Sequence, residues 1–463
     1  MPARSRWTLV AAAVAAVVTV SAATVVWVDR VPTTVKKITG TTAATPGLAW
    51  SLDPADRLGR PFAAFADPRE GTAFAIGEPG MIRAGDTLVT VVGTPNEGTT
   101  LGDPVMIGID ARNGEVRWQA PAHDLVSCSD IPLHGKIYCH ALRKGYELVT
   151  YDVASGESVR RTVSESIFAI TTTSDALLVA EGSVEENDVR VHSGTFDDVS
   201  AHWTRQFDVG ASYEEVYNSE ALTVIDGVGL LRTGGDLALF DAGSGAELWS
   251  NGSQCVGTSS LLPGGFLVHA DTGCEVAGHA SEQLLRGPDG KVVASTSNPT
   301  VQRPGLETTT DADPVVLGDS AYDRATGERL WTNSDLISGG TNATGTVTAV
   351  VDGVVYLLDT NSKIRSESGI DLHTGKRLWH NVWDEYANAT VTPDAYRDGL
   401  LAGSDGIALT AIDVTTGEVE WTAPFLAIDS DPEAFATGRA LEPYGDGWIF
   451  SSDRRMIGLT PLS

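Results

Sequence analysis

At 463 residues, with 61 acidic against 32 basic side chains and a formal charge of −29, the chain disfavours nucleic-acid phosphates and anionic membrane surfaces and suits basic ligands or basic protein patches. Its 42% hydrophobic content and 49 glycines describe a folded, turn-rich protein and exclude a disordered acidic tail.

Residues 1–7 carry Arg4 and Arg6 and precede an uncharged apolar run from Thr8 to Val28. At a rise of about 1.5 Å per residue, a helix over that run crosses a bilayer. The arginines hold its leading end in the cytoplasm. The expectation is therefore a cytoplasmic N-terminus over 1–7, a single transmembrane anchor over 8–28, and an extracytoplasmic chain beyond it. A cleaved signal peptide with a small-residue site at Ser21 to Ala23 is the alternative, and the apolar run continuing past Ala23 favours the anchor. Residues 29–47, rich in Thr, Pro and Gly, read as a flexible tether. That leaves 48–463 as the extracytoplasmic domain.

No cysteine precedes Cys128, so a lipid-accepting N-terminal cysteine is excluded. "CSDIPLHGKIYC" holds Cys128 and Cys139, and Cys255 and Cys274 bracket a second glycine-containing turn. Each pair is placed to staple two antiparallel strands in an oxidising compartment. Of the connectivities open to these cysteines, the two local ones are expected. Zinc would want closer spacing.

The dominant signal is self-similarity. The same phrase recurs with Asp, Gly and Trp four residues apart: Asp110–Gly114–Trp118, Asp241–Gly245–Trp249, Asp323–Gly327–Trp331, Asp371–Gly375–Trp379 and Asp413–Gly417–Trp421. Asp152 and Gly156 begin another copy, with Arg160 at the Trp position. Weaker units surround Trp203 and Gly290. A period of about 40–50 residues fits propeller blades or helical repeats. The runs before each Asp ("VMIGI", "ELVTY", "LALF") are short, β-branched or aromatic and bounded by glycine, so each unit reads as antiparallel strands. The apolar residue before each Asp marks the buried end of a strand. Asp accepts turn N–H groups, Gly takes positive φ, and Trp fills the gap to the next sheet. Leu–Trp pairs such as Leu330–Trp331 and Leu378–Trp379 break alternation and suggest sheets covered on both faces.

"AIDVTTGEVEW" and "AYDRATGERLW" resemble the tryptophan-docking motif of the quinoprotein-type β-propellers, and the resemblance covers about Trp50 to Leu462. It implies an all-β propeller whose motif locks blade to blade, so the motif marks architecture. "GLAWSLD" supplies a Trp strand without predecessors and "GDGWIFSSDRRMIGLTPLS" supplies strands without a Trp strand; joined, they close one blade. Every weak copy counted gives nine units. Because the resembling family usually has eight, the expectation is about eight four-stranded blades, with seven or nine as the alternatives and the two degenerate units between Trp249 and Trp331 taken as one.

An enzyme of that family would hold pyrroloquinoline quinone (PQQ) and calcium in the central funnel, commonly under two adjacent cysteines. This chain has no Cys-Cys pair. His134 and His140 lie in the cysteine hairpin, where solvated strand positions are expected. Acidic runs such as "SVEENDVR" and "DSDPEAF" read as solvated loops without the calcium-loop pattern. No catalytic or metal residue is assigned. The expected function is a non-catalytic scaffold at the cell membrane with unidentified protein partners at the envelope, similar to the outer-membrane assembly factor family. A PQQ-dependent oxidoreductase and a cell-envelope glycan binder are the alternatives.

Overall fold

The computed structural model describes residues 38–461 apart from 41–44, 71–73, 75, 98–99, 143–144, 184–187, 210–220, 234–235, 252–255, 272–281, 298–305, 337–345, 360–364 and 384–391. Its strands form nine separate sheets built on antiparallel meanders, one of them completed by a strand from the other end of the chain. Blade 1 spans 64–121, blade 2 125–163, blade 3 167–207, blade 4 222–250, blade 5 256–296, blade 6 315–332, blade 7 346–383 and blade 8 392–424. Blade 9 joins Ala440–Tyr444, Gly447–Ser451 and Met456–Pro461 to Pro46–Leu52, which pairs antiparallel with Met456–Pro461. The first strands of successive blades touch one another and so line the axis, while the Trp strands lie outermost. The described apolar residues fall into nine buried clusters, each shared by two adjacent blades. The cluster of Trp50, Met456, Phe65 and Ile109 joins blade 9 to blade 1, so the ring is closed.

Nine blades correct the expectation of eight. The segment between Trp249 and Trp331 forms two sheets: a four-stranded blade 5 without a Trp, and a three-stranded blade 6 of Val315–Leu317, Ser320–Tyr322 and Arg329–Thr332. In place of a first strand for blade 6, Leu306–Glu307 pairs in parallel with Thr346–Val351 of blade 7. Residues expected as tether are partly paired: Thr39–Gly40 adds a strand outside blade 8, opposite Thr422 and Trp421, and the blade 9 strand begins at Pro46. The expected anchor over 8–28 and the pair Cys255 and Cys274 lie outside the described residues. Among the described residues no helix is long and apolar enough to cross a membrane.

The meander sorts connections onto two faces. Turns joining first to second and third to fourth strands, including every Asp–Gly turn, share one face, here the docking face. Second-to-third turns and the links between blades share the opposite face. In blade 1 the first position is split between Ala64–Ala66 and Ile82–Ala84, which pair with successive parts of Thr87–Pro95. Residues 67–81 loop out between them.

Candidate functional site

The repeat residues build joints between blades. In each of the six turns the Gly N–H donates to the Asp carbonyl at 2.7–2.9 Å, and the glycine has φ between +69° and +73°. The indole of one blade lies on the glycine of the next. A Cβ on Gly114 would meet Trp50 at 2.6 Å, on Gly156 Trp118 at 2.5 Å, on Gly245 Trp203 at 2.5 Å, on Gly375 Trp331 at 2.5 Å and on Gly417 Trp379 at 2.4 Å. Glycine is thus required twice, by backbone conformation and by the ring above it. Each of these indoles also donates Nε1–H to a carbonyl two residues after the neighbouring strand's apolar terminus: Trp50 to Ala111 (3.0 Å), Trp118 to Val153 (2.8 Å), Trp203 to Ala242 (3.1 Å), Trp331 to Leu372 (2.8 Å) and Trp379 to Val414 (2.8 Å). The residues before Asp (Ile109, Tyr151, Phe240, Tyr322, Ile370, Ile412) are buried. Against the expectation of two covered faces, Leu330 and Leu378 are exposed, because the outermost strand turns one side of its surface to solvent.

Asp110 is held well below the usual carboxylate range by hydrogen bonds from Arg112, with Arg117 adding to them against the raising effect of burial. Asp152, Asp241 and Asp323 are lowered chiefly by hydrogen bonds from Ser155, Ser244 and Thr326. For Asp371 and Asp413, burial acts upward and the bonds from Thr374 and Thr415 outweigh it.

Four joints depart from the pattern, one of them that of blades 5 and 6, where the Val293 backbone and not an indole lies on Gly327. Arg160 replaces Trp in blade 2 and ties Glu147 (2.9 Å) to the His123 carbonyl (2.9 Å). Trp249 meets a blade 5 turn that reads Pro288–Asp289–Gly290; its ring stacks on His269 at 5.2 Å and carries the Arg286 guanidinium 4.0 Å above it, a cation–π contact in place of the carbonyl bond. Trp421 faces blade 9, which has no third-to-fourth turn, and its Nε1 has no hydrogen-bond partner. Thr39–Gly40 lies there instead, with Gly40 so close to Trp421 that a Cβ would meet the Trp421 Cβ at 2.6 Å. At the reduced blade 6, Arg324 is buried. Nε donates to the Asp313 carbonyl (2.6 Å), Nη1 to the Pro263 carbonyl (2.8 Å) and Nη2 to Thr309 Oγ1 (2.8 Å), with Glu307 Oε1 at 3.8 Å.

Cys128 and Cys139 are disulfide-bonded and are direct cross-strand partners in blade 2. The neighbouring His140 corrects the expectation of a solvated position. It is 2% exposed, its Nε2 has no partner, and burial holds its pKa down to about 3. His134 is exposed in the turn. The unfolded imidazole protonates near its ordinary value of about 6.5. Its contribution to stability is therefore complete above that value and is lost as pH falls towards 3. Asp394, raised to about 6 by burial against the pull of Arg439, acts oppositely between about 6 and its unfolded value, and its smaller shift only partly offsets the histidine. Urea midpoints are expected to fall between pH 6.5 and 4 in the natural protein. In His140→Leu that decline is expected to vanish or reverse; an unchanged decline contradicts the assignment.

The opposite face carries a cavity of about 460 Å³ where the ring closes. Its wall comes from the blade 1 loop (Asp67, Glu70, Glu78), the blade 8 turn at Ser404, and the link between blades 8 and 9 (Phe435, Arg439). Phe435 stacks on Phe425 at 4.6 Å. "DSDPEAF" is solvated only in part: Ser430, Pro432 and Glu433 are exposed, while Phe435 is buried and Asp429 binds Arg455 at 2.9 Å. Arg69 grips Asp67 through Nε and Nη2 at 2.6–3.1 Å. Arg439 lies 3.4 Å from Asp394 and donates to the Ser404 carbonyl at 3.2 Å. Burial raises the Asp453 carboxyl, against the lowering effect of Thr437 and the Gly77 backbone. A second cavity, about 620 Å³, opens on the docking face between blades 2, 3 and 4. None of the residues lining the first cavity carries the repeat motif, so periodicity gave no signal for them.

Among the described residues no group of three His, Cys, Asp or Glu side chains is placed to hold a metal ion.

Taken together, the nine meanders and their indole-on-glycine joints define a β-propeller of PQQ-like repeats. A family model described as outer membrane protein assembly factor BamB matches residues 233–431, and the chain is a PQQ-like propeller similar to BamB. Among solved structures, BamB from Moraxella catarrhalis is 14% identical, covering 82% of this chain and 93% of that one, with a TM-score of 0.39. The quinohemoprotein alcohol dehydrogenase from Comamonas testosteroni is 13% identical, covering 89% and 76%, with a TM-score of 0.43. The computationally designed Ika8 protein is 13% identical, covering 86% and 99%, with a TM-score of 0.43. No curated protein matches the chain.

Proposed function

We propose that the chain is a non-catalytic protein-interaction scaffold, held at the cell membrane by residues 8–28 with its propeller on the extracytoplasmic side. The observation that carries this reading is the match of residues 233–431 to an assembly-factor family model. The acidic charge of −29 favours partners with basic surfaces. Propellers present broad loop-built faces, and this one invests its repeated residues in rigidity.

Crosslinking in intact cells followed by identification of captured proteins tests the scaffold. The expected result is a small, reproducible set of envelope proteins, retained when surface charge is screened only in part. In parallel, purified protein receives PQQ and calcium and is assayed for dye-linked alcohol and sugar oxidation. Sustained turnover there would overturn the reading in favour of a quinone-dependent oxidoreductase.

A further inference from the structure

Phe62 lies on the face opposite the docking turns, in the link that carries the chain from blade 9 to blade 1. Ala63 N–H donates to the Arg60 carbonyl at 3.1 Å, closing a turn with Pro61 and Phe62 at its centre. Phe62 has φ +62°, a value that glycine or asparagine ordinarily supplies at the third place of such a turn, and it is 80% exposed. A bulky residue there strains the backbone and gains no packing, which points to a contact outside the chain. Leu142, at the second-to-third turn of blade 2, and Ile407, at that of blade 8, are 46% and 54% exposed on the same face. Leu142 forms the lip of a hollow of about 300 Å³ walled by Phe74, Leu101, Pro104 and Leu125. The three exposed apolar side chains thus lie on one contiguous arc, that of blades 8, 9, 1 and 2.

The chain also enters the ring on that arc. Thr39–Gly40 pairs antiparallel with Val419–Pro424, which runs from the docking turn at Asp413 and Gly417 towards the opposite face. The chain before Thr39 therefore arrives at blade 8 from the opposite face, and Ile38 packs on the cluster shared by blades 8 and 9. Only residues 29–37 separate Ile38 from the apolar run that ends at Val28, and fully extended they cover about 30 Å. Passing back along the outer strand of blade 8 to reach the docking face would use about 15–20 Å of that reach.

We propose that the opposite face, over blades 8, 9, 1 and 2, rests on the lipid bilayer, with Phe62 inserted among the headgroups and Leu142 and Ile407 beside it. The proposal depends on the reading of residues 8–28 as a membrane anchor. Charge does not drive the contact, because Arg57, Arg60 and Arg454 share this face with Asp56, Asp124 and Glu433. Burial of apolar area does. Three side chains are too few to bind the domain to a bilayer alone, but they suffice to orient one that an anchor already holds at the surface. The docking face is then turned outward, free to meet protein partners.

The full chain is reconstituted in phosphatidylcholine liposomes with an environment-sensitive fluorescent amino acid in place of Asp56, in the link of blades 9 and 1, or, as the control, of Ala154 in the docking turn of blade 2; both positions are exposed. With doxyl-labelled phosphatidylcholine, the probe at 56 is expected to be quenched about threefold more than the probe at 154. Phe62→Gly/Leu142→Ser/Ile407→Ser is expected to remove most of that difference. Glycine suits the positive φ, so Phe62→Gly alone is expected to lower the quenching while its urea midpoint holds or rises, a combination that a structural role for the ring does not give. Equal quenching at the two positions, stronger quenching at 154, indifference to the triple substitution, or a signal that needs anionic phosphatidylglycerol overturns the proposal. A probe at 56 that is shielded from water but not reached by doxyl lipid overturns it too, since protein then covers the face. Alkaline carbonate separates the two readings: release of the chain overturns the anchor and this proposal together, while retention with the probe at 56 in water overturns this proposal alone.

Discussion

Trp379→Ala is expected to destabilise the ring by about 3–5 kcal/mol, the cost typical of truncating a buried aromatic. Three things go at once. The indole covers Gly417 of blade 8, packs in the cluster of Tyr356, Leu401 and Ile412, and donates to the Val414 carbonyl at 2.8 Å. Gly369 in its own blade makes room for it, since a Cβ there would meet Nε1 at 2.2 Å, and so offers no side chain to fill the void. Trp379→Phe keeps most of the bulk and loses the carbonyl bond; about 1–3 kcal/mol is expected for leaving that buried acceptor unpaired. The readouts are the urea midpoint and amide exchange, with protection lost first at the joint of blades 7 and 8. A chain of this size need not unfold in one step, so midpoints are compared only where the slope is unchanged. A Trp379→Ala midpoint equal to that of the natural protein would show that the indole is ornamental.

Arg324→Ala is expected to cost a similar amount, about 3–5 kcal/mol, for a different reason. Blade 6 lacks a first strand, and the chain over 307–313 leads into it from the pairing of Leu306–Glu307 with blade 7. Arg324 is what fastens it, reaching the Asp313 carbonyl, Thr309 Oγ1 and the Pro263 carbonyl of blade 5 from one guanidinium. Its removal leaves those oxygens and the Glu307 carboxylate without their cation in a buried place. Arg324→Lys keeps the charge but presents no planar fork, so it is expected to recover less than half of the loss. Exchange should accelerate at 306–317 before it does in blades 1 to 4. If Arg324→Ala unfolds at the same urea concentration as the natural protein, blade 6 is held by something other than this side chain.

The blades were legible because one solution is repeated: an apolar strand end, an Asp turn, a glycine with positive φ and an indole four residues later. Legibility failed where a joint used different chemistry. Blade 5 has Ala294 four residues after Gly290, and the Trp249 surface it meets is satisfied by Arg286 and His269, so no docking phrase marks the unit. Blade 6 has the phrase but only three strands; the repeats themselves count nine units, and only the usual eight blades of the resembling family argue for merging two of them. His140 shared its hairpin with an exposed His134, and alternation alone did not say which of them faced blade 3. The cavity was invisible for a further reason. Asp67, Ser404 and Arg439 come from turns far apart in the chain, and ring closure alone brings them together.

Blade 9 takes its outermost strand from Pro46–Leu52 and the rest from Ala440–Pro461. The whole stretch 53–455 must therefore be synthesised while the earliest strand waits unpaired, a contact of very high sequence separation of the kind that slows folding and leaves sticky edges exposed. A polypeptide threading outward through a membrane would present that strand first and its mate last, so a helper that shields the waiting segment during export would find its substrate there.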